Sequence, residues 1–317
     1  MAPAQKFQQL SMDPGTNPAL PGCDYLWLGR HVASIPDLGI PTYRGINGPT
    51  GVSGGDCNVE PQPTTSMPST VGVGASFDPE LARAWGELTG HEAKSIGHNA
   101  FYAPGMNLVP MAHAGRNYEY FGEDPFLAGV LATEQILGIE SQGVQAVPKH
   151  YAANEQETER WTYAVDIDHR TLNEMQLLPF EMAVRDADPA GVMCAFPEIN
   201  GTWVCESEYL LTTKLRDEWG FSGYVTNDRG ALHSTAPALN AGMDLEFAWR
   251  THFTAANLQA ALDSGALSMD TVDRALERRF TPMFRWASST GTGTSSCPST
   301  TTGTAPWPNA SPRSRRC

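Results

Sequence analysis

The chain has 317 residues, 41% of them hydrophobic, with a formal net charge of -14 and a sequence pI near 4.9. That length and apolar content suit one large folded unit with a substantial core, and the acidic balance excludes a phosphate backbone or an anionic bilayer as partner, because both would be repelled. An uncharged small molecule is compatible with it.

No stretch reaches the roughly 20 apolar residues of a membrane span, and the opening Met1-Ala-Pro-Ala-Gln-Lys6 has no apolar core of a signal peptide. The expectation is a soluble chain. After a Pro- and Gly-rich opening, short apolar runs alternate with amphipathic stretches, the pattern of β/α units around a parallel sheet. Asp78-Pro79 supplies an N-cap and a first-turn proline, and Leu81, Trp85 and Leu88 follow at helical spacing until Gly97. Asp124-Pro125 opens another helix. Val144–Val147 reads as a buried strand ending in Lys149-His150, and Gly191–Phe196 as the next strand. Ser207 then caps a helix carrying Leu211, Leu215 and Trp219, closed by Gly220. Gly223–Asn227 is a third strand and delivers Asp228 at its C-terminal end. Late helices are predicted around Leu258–Leu262 and from Ser268, where Val272, Leu276 and Phe280 lie four residues apart. Past Trp286 the chain turns Ser-, Thr- and Pro-rich without apolar periodicity, so residues 288–317 read as a low-complexity or disordered tail to a unit spanning 1–287.

Of six cysteines, Cys194 and Cys205 flank a short Gly-containing loop. A disulfide there would suggest an oxidising compartment; two free buried thiols are the equal alternative. No pair has metal-binding spacing, so no metal is expected.

Polar groups just beyond strand C-termini draw attention because the active site of a (β/α)8 barrel is assembled there. Three appear: Lys149-His150, the loop after Phe196, and Asp228. Lys and His can donate to hydroxyl groups beside an ionised carboxylate. Each alone also reads as a helix cap or a solvated loop. The densest polar and aromatic cluster is Gly115-Arg-Asn-Tyr-Glu-Tyr-Phe-Gly-Glu-Asp-Pro125, where Arg116 offers a fork of donors.

Taken with Val147-Pro-Lys-His-Tyr-Ala-Ala-Asn-Glu-Gln-Glu157, that cluster closely resembles glycoside hydrolase family 3, in particular its β-glucosidase and β-xylosidase members. Asp168-His-Arg-Thr-Leu172 with Leu178-Pro-Phe-Glu181, Val192-Met-Cys-Ala195 with Asn200-Gly201, Thr226-Asn-Asp-Arg-Gly-Ala231 and Ala241-Gly-Met-Asp-Leu-Glu246 match in the same order. The resemblance covers roughly residues 30 to 285. It implies a TIM-type (β/α)8 barrel, with irregular first strands admitted, acting without metal or organic cofactor. It implies that Asp228 attacks the anomeric carbon to form a glycosyl-enzyme intermediate that water resolves with retention. Arg116, Lys149 and His150 would hold sugar hydroxyls; Glu119 and Glu246 would support them. It also implies a Cys194–Cys205 disulfide, and with it an extracellular rather than cytoplasmic location.

Three positions depart from the family pattern. Asn47 stands where an aspartate usually binds hydroxyls, Phe196-Pro197 replaces Tyr-Asn, and Arg229 follows the nucleophile where tryptophan is typical. A guanidinium at 229 would favour an ionised Asp228 but forfeits an aromatic surface. Two-domain members take their acid/base glutamate from a following sandwich domain, which is not visible here. Single-domain β-N-acetylglucosaminidases instead read Lys-His-Phe-Pro-Gly-His-Gly at the Lys149 loop, unlike this chain.

The leading expectation is a retaining exo-β-glycosidase of β-glucosidase type acting on a small glycoside or oligosaccharide. Alternatives are a catalytically impaired sugar-binding barrel, a β-xylosidase or β-N-acetylglucosaminidase-type activity, and a self-sufficient enzyme using Glu155, Glu157 or Glu246 as acid. A homodimer through an exposed apolar face completes the expectations.

Overall fold

Parallel strands follow one another through the chain in the order that the apolar runs predict. The computed structural model describes residues 1–12, 31–53 and 63–287. Tyr43–Asn47, Ala100–Tyr102 and Gln145–Ala146 lie parallel in one array, edged by the antiparallel pair His31–Val32. Lys149–Tyr151, Gly191–Cys194 and Tyr224–Asn227 form a second parallel array. Single bridges extend the pairing from Gly105 to Lys149, from Thr226 to Leu245, and from Ser11 to Glu246. A small third sheet joins Ala164–Val165, Glu198–Ile199 and Thr202–Trp203 beside the second array.

The fold is therefore a mixed α/β domain with parallel arrays, and among the described residues the pairings do not make a continuous eight-stranded barrel. Part of the reason is local chemistry. Pro148 has no N–H to donate, and the register shifts between Lys149 and Tyr151. The strand predicted as one run thus divides into Gln145–Ala146 and Lys149–Tyr151, each pairing with a different array. The expected tail, 288–317, lies outside the described residues.

The helices arise where their caps predict. Asp78 Oδ1 accepts from Glu80 N at 2.9 Å and Leu81 N at 3.1 Å to open Pro79–Ser95. Asp124 Oδ1 accepts from Leu127 N at 2.8 Å to open Pro125–Ser141. These two helices cross at very short range: a Cβ on Gly138 would stand 2.3 Å from the Arg83 carbonyl. Ser207 Oγ accepts from Leu210 N at 3.3 Å at the start of the next helix, whose Tyr209–Glu218 portion is wound with the wider π-type turn. Ala255–Asp263 and Met269–Ala287 complete the predicted set. No helix of the described residues is long and apolar enough to cross a membrane.

Three sets of buried polar contacts hold the strands in place. Asp244, fully buried, accepts from Val225 N at 2.8 Å and from Arg216 at 2.7 Å, with Arg278 at 3.4 Å, which joins the last helix to the Tyr224–Asn227 strand. The hydroxyls of Tyr43, Tyr102 and Tyr224 meet between the two arrays, Tyr43 lying 2.9 Å from Tyr224 and 3.3 Å from Tyr102. Glu140 Oε1 accepts from Ala190 N at 2.8 Å and Ala146 N at 3.2 Å, bridging the two arrays from behind.

Burial pushes the Glu140 carboxyl up to about 8, against the lowering effect of those two amides. The native state then keeps a proton that the unfolded chain releases from about 4.5 upward. Stability from this group is full below that pH and is lost as pH rises toward about 8, by at most ~1.4 kcal/mol per pH unit for one proton. Glu140→Gln, which keeps an acceptor for both amides, is expected to flatten that part of the profile. Urea midpoints measured across the range would check it, and parallel profiles for the two proteins would contradict it.

Candidate active site

Because the strands of the two arrays run parallel, their C-terminal ends open on one side, and Asn47 and Asp228 meet Arg116 and Lys149 there. A cleft of about 330 Å³ is lined by Asn47, Tyr102, Arg116, Glu119, Lys149, Arg160, Asp228, Arg229 and Phe247. Asn47 ends the Tyr43–Asn47 strand, Lys149 begins the Lys149–Tyr151 strand, and Asp228 follows Asn227, the last residue of its strand.

Asp228 is half-buried and held by its backbone. Its N–H donates to the Cys194 carbonyl at 2.9 Å, and its carbonyl accepts from Ala231 N at 2.9 Å and from Asn227 Nδ2 at 2.7 Å. The Asn227 side chain also accepts from Phe247 N at 2.7 Å, so one amide fixes both the carboxylate's peptide and the cleft wall opposite. Oδ1 of Asp228 accepts from Arg229 N at 2.7 Å, while Oδ2 faces His150 Nε2 at 3.4 Å and Arg116 Nη1 at 3.9 Å. Cys194, on the neighbouring strand, is joined to Cys205 by a disulfide with Cα atoms 5.5 Å apart.

Arg116 touches Glu119, His150 and Glu157 beside that carboxylate. Its Nε and Nη2 donate to the two Glu119 oxygens, each at 2.8 Å, Nη2 also reaches His150 Nε2 at 2.9 Å, and Nη1 approaches Glu157 at 3.5 Å. Burial by itself would lower the guanidinium's pKa, but the Glu119 hydrogen bonds and the surrounding negative charge more than reverse this, so it is raised. For Glu119 burial acts upward, and the Arg116 hydrogen bond with the charges of Lys149 and Arg116 brings the carboxyl below its usual range. Lys149, almost fully buried, donates to Asn47 Oδ1.

The state of His150 follows from its partners. A guanidinium has only donors, so Nε2 accepts from Arg116 and the ring proton sits on Nδ1, 3.2 Å from Asn107 Oδ1. Asn107 also accepts from His150 N at 2.8 Å and donates to its carbonyl at 2.9 Å, clamping the residue at three points. Burial, with Arg116, Lys149 and Arg160 adding positive charge, holds the imidazole well below its usual range. His150 is therefore a neutral ring whose contact with Asp228 is bridged by Arg116.

The remaining predicted carboxylates are placed differently. Glu157 flanks the cleft, accepting from Asn154 at 3.1 Å and from Arg160 at 3.0 Å as well as from Arg116. Glu155 lies behind Asn107 and does not line the cleft; burial pushes its carboxyl up to about 7, partly offset by the Leu108 amide and the Asn107 side chain. Glu246, 1% exposed, accepts from the Thr251, His252 and Phe253 amides at 2.7, 3.0 and 2.7 Å and from the Thr251 hydroxyl at 2.9 Å. It organises a loop and does not line the cleft. Among the described residues no group of three or more His, Cys, Asp or Glu is arranged to hold a metal ion.

Several residues at the site escaped the sequence reading. Asn107 lies just past the Ala100–Tyr102 strand, so the same strand-end rule that flagged Lys149 could have flagged it. Trp161 and Trp249 stack at 5.9 Å with planes 16° apart, and Arg160 and Arg229 lie over them at 4.9 and 5.4 Å. Aromatic surface thus stands beside Arg229 after all, supplied from elsewhere in the chain. No spacing in the sequence brings those four residues together.

A sequence profile described as the glycosyl hydrolase family 3 N terminal domain matches residues 49–281. The chain belongs to glycosyl hydrolase family 3. Within that family it is 41% identical over 260 residues to a beta-glucosidase of Rhizobium radiobacter, covering 82% of this chain and 31% of the relative. It is 39% identical over 254 residues to thermostable beta-glucosidase B of Acetivibrio thermocellus, covering 78% and 34%. Beta-glucosidase 3B from Thermotoga neapolitana, solved with glucose, superposes with a TM-score of 0.82 at 29% identity, over 91% of this chain and 42% of that one. The Bifidobacterium adolescentis family 3 beta-glucosidase gives 0.81 at 31% identity, over 91% and 40%. The chain spans about a third of the length of the curated relatives it matches.

The imidazole assignment can be checked directly. Nitrogen-15 NMR of labelled histidine should show His150 still as a neutral Nδ1–H ring where an ordinary histidine is already protonated, because its pKa is depressed. A His150 resonance titrating near the ordinary histidine value would contradict it.

Proposed function

We propose that this chain carries the nucleophile and sugar-binding groups of a retaining exo-β-glycosidase of β-glucosidase type. The observation that carries the reading is Asp228, half-buried at a strand end, with Oδ2 turned toward Arg116 and His150 on the wall of a polar cleft. Asp228 attacks the anomeric carbon as the bond to the aglycone oxygen breaks; water then cleaves the glycosyl ester, returning the carboxylate and releasing the sugar with retained configuration. Arg116 and Lys149 donate to sugar hydroxyls as cations and Asn47 adds its amide, while His150, whose ring nitrogens are taken by Arg116 and Asn107, positions Arg116. The beta-glucosidase names of the relatives support a β-glucoside over other glycosides.

The departing oxygen needs a proton, or a leaving group acidic enough to do without one. Among the described residues, Glu119 and Glu157 use both oxygens as acceptors from Arg116, Arg160 or Asn154, and Glu246 uses both on the Thr251–Phe253 loop. This observation favours a second reading, in which the described residues by themselves recognise the sugar but turn over only activated substrates.

The proposal extends to architecture and setting. The single bridges at Thr226–Leu245 and Ser11–Glu246 support reading the two arrays as an arc of a (β/α)8-type barrel within residues 1–287. The Cys194–Cys205 disulfide supports an extracellular location.

Incubation with 2,4-dinitrophenyl 2-deoxy-2-fluoro-β-glucoside, followed by peptide mass mapping, is expected to place the label on Asp228. A label on another residue, or none, overturns the nucleophile. Asp228→Ala is expected to lower the hydrolysis of 2,4-dinitrophenyl β-glucoside by at least about 10³-fold. In the intact protein, rates across an aryl β-glucoside series should fall steeply as the leaving group becomes less acidic, by roughly 10²- to 10⁴-fold if no proton is supplied. A flat series would remove the second reading.

A further inference from the structure

The turn that follows Asn47 walls a second hollow, of about 350 Å³, beside the cleft. Its own lining is rich in hydroxyls, from Thr50, Ser53, Thr64, Thr65 and Ser66. Asn47, Tyr118 and Glu119 line both spaces, whereas Asp228 lines only the cleft. The hollow therefore adjoins the cleft on its Asn47 side, and the nucleophile takes no part in it.

The walls of this hollow are held by the fold. Gly51 N donates to the Gly48 carbonyl at 3.3 Å to close the turn, and Ser53 N donates to the Asn47 carbonyl at 2.9 Å. Thr70 Oγ1 donates to the Pro49 carbonyl at 2.7 Å, and Thr64 Oγ1 to the Val52 carbonyl at 2.8 Å. A Cβ on Gly48 would stand 1.9 Å from the Gly51 carbonyl oxygen, so the turn has no slack. A cavity fixed in this way needs little ordering when a ligand enters, which favours binding.

The lining suits an uncharged ligand with many hydroxyls. Among the described residues Glu119 is the only charged group in it, and both Glu119 oxygens are taken by Arg116. The buried Ser53 Oγ has no hydrogen-bond partner among the described residues, a cost that a ligand hydroxyl would remove. Tyr118, 51% exposed, adds an aromatic face with a polar tip, fit to pack on a sugar ring. The volume falls within the range of small-molecule sites, about 300–1,000 Å³.

Pyranose geometry gives the hollow a direction. C4 stands across the ring from C1, with the C6 arm beside it. A sugar whose C1 lies at Asp228 therefore turns O4 and O6 away from the nucleophile, and the side of the cleft shared with the hollow is the one without Asp228.

Resting on the glycosidase reading above, we propose that this hollow binds a second sugar joined to O4 or O6 of the glucose unit at the nucleophile. In such substrates Asp228 displaces the aglycone from the inner sugar, and the unit released from the chain end is a disaccharide.

The test uses activated fluoro sugars, which report by mass what becomes bound to Asp228. On the full chain, 2,4-dinitrophenyl 2-deoxy-2-fluoro-β-glucoside is compared with two analogues that carry an α-glucosyl group on O4 or on O6. In each, an Asp228 oxygen bonds to C1 as the C1–O bond breaks, and 2,4-dinitrophenolate leaves without needing a proton. The α linkage is not cut by a β-glycosidase, so the extended reagents stay intact. At least one of them is expected to label Asp228 with the mass of a fluorinated disaccharide, at a rate within about tenfold of the monosaccharide reagent. Ser53→Leu and Ser66→Trp, which fill the hollow, should each slow that labelling by at least about tenfold and leave labelling by the monosaccharide unchanged. Thermal melting shows that each variant is folded. Labelling by the monosaccharide alone overturns the second sugar site and leaves the glycosidase reading standing. Labelling by none of the three overturns both. Disaccharide labelling that neither variant slows also overturns the proposal, because the second sugar then lies outside the hollow.

Discussion

The paired hydrogen bonds from Arg116 to Glu119 set the electrostatics of the whole cleft. Two parallel N–H···O contacts at 2.8 Å fix the guanidinium plane, and its remaining edge then faces His150, Glu157 and Asp228. With that plane fixed, His150 must present a lone pair on Nε2. Its proton is consequently directed to Asn107, which clamps the backbone of the same residue. The pair is also largely buried, with side chains 16% and 9% exposed. Removing one partner of such a pair leaves an uncompensated charge, at a cost of roughly 3–5 kcal/mol, so the arrangement of the site and its stability depend on one contact.

Backbone positioning provides the second level of order. Parallel strands present their C-terminal ends on one side, which is why residues far apart in sequence meet there. Asn227 shows how finely this is set: one side-chain amide bonds the Asp228 carbonyl and the Phe247 amide, so the nucleophile's peptide and the opposite wall move together. The tyrosine hydroxyls between the arrays and the Asp244 carboxylate beneath them hold the strands that carry these groups.

Much of this was legible in the sequence where local rules govern. Asp78 and Asp124 announce helix starts because a side-chain cap is a contact across three residues, and the alternation of apolar runs with amphipathic stretches identifies the β/α order. Arg116, Lys149, His150 and Asp228 could be named as a group because their motifs recur in one order. What was not legible depends on contacts over long separations. Pro148 divides a strand only because the two halves find different neighbours. Glu246 sits in a motif beside the nucleophile strand, yet its oxygens turn to the Thr251–Phe253 amides. Arg160 and Trp161 meet Arg229 and Trp249 through folding alone.

The carboxylate of Glu246 anchors one segment at both of its ends. It gathers three consecutive amides at 251–253, while its own N–H and carbonyl pair with Leu10 and Met12 at 2.8 and 2.9 Å. Both ends of the segment between Phe247 and His252 are thereby anchored to the same residue, and Trp249 stands in its middle, stacked on Trp161. Such a segment is a brace: Trp249 lies under the Arg229 guanidinium and leaves no room for a Cβ on Gly230, so its central residues hold the turn that follows Asp228.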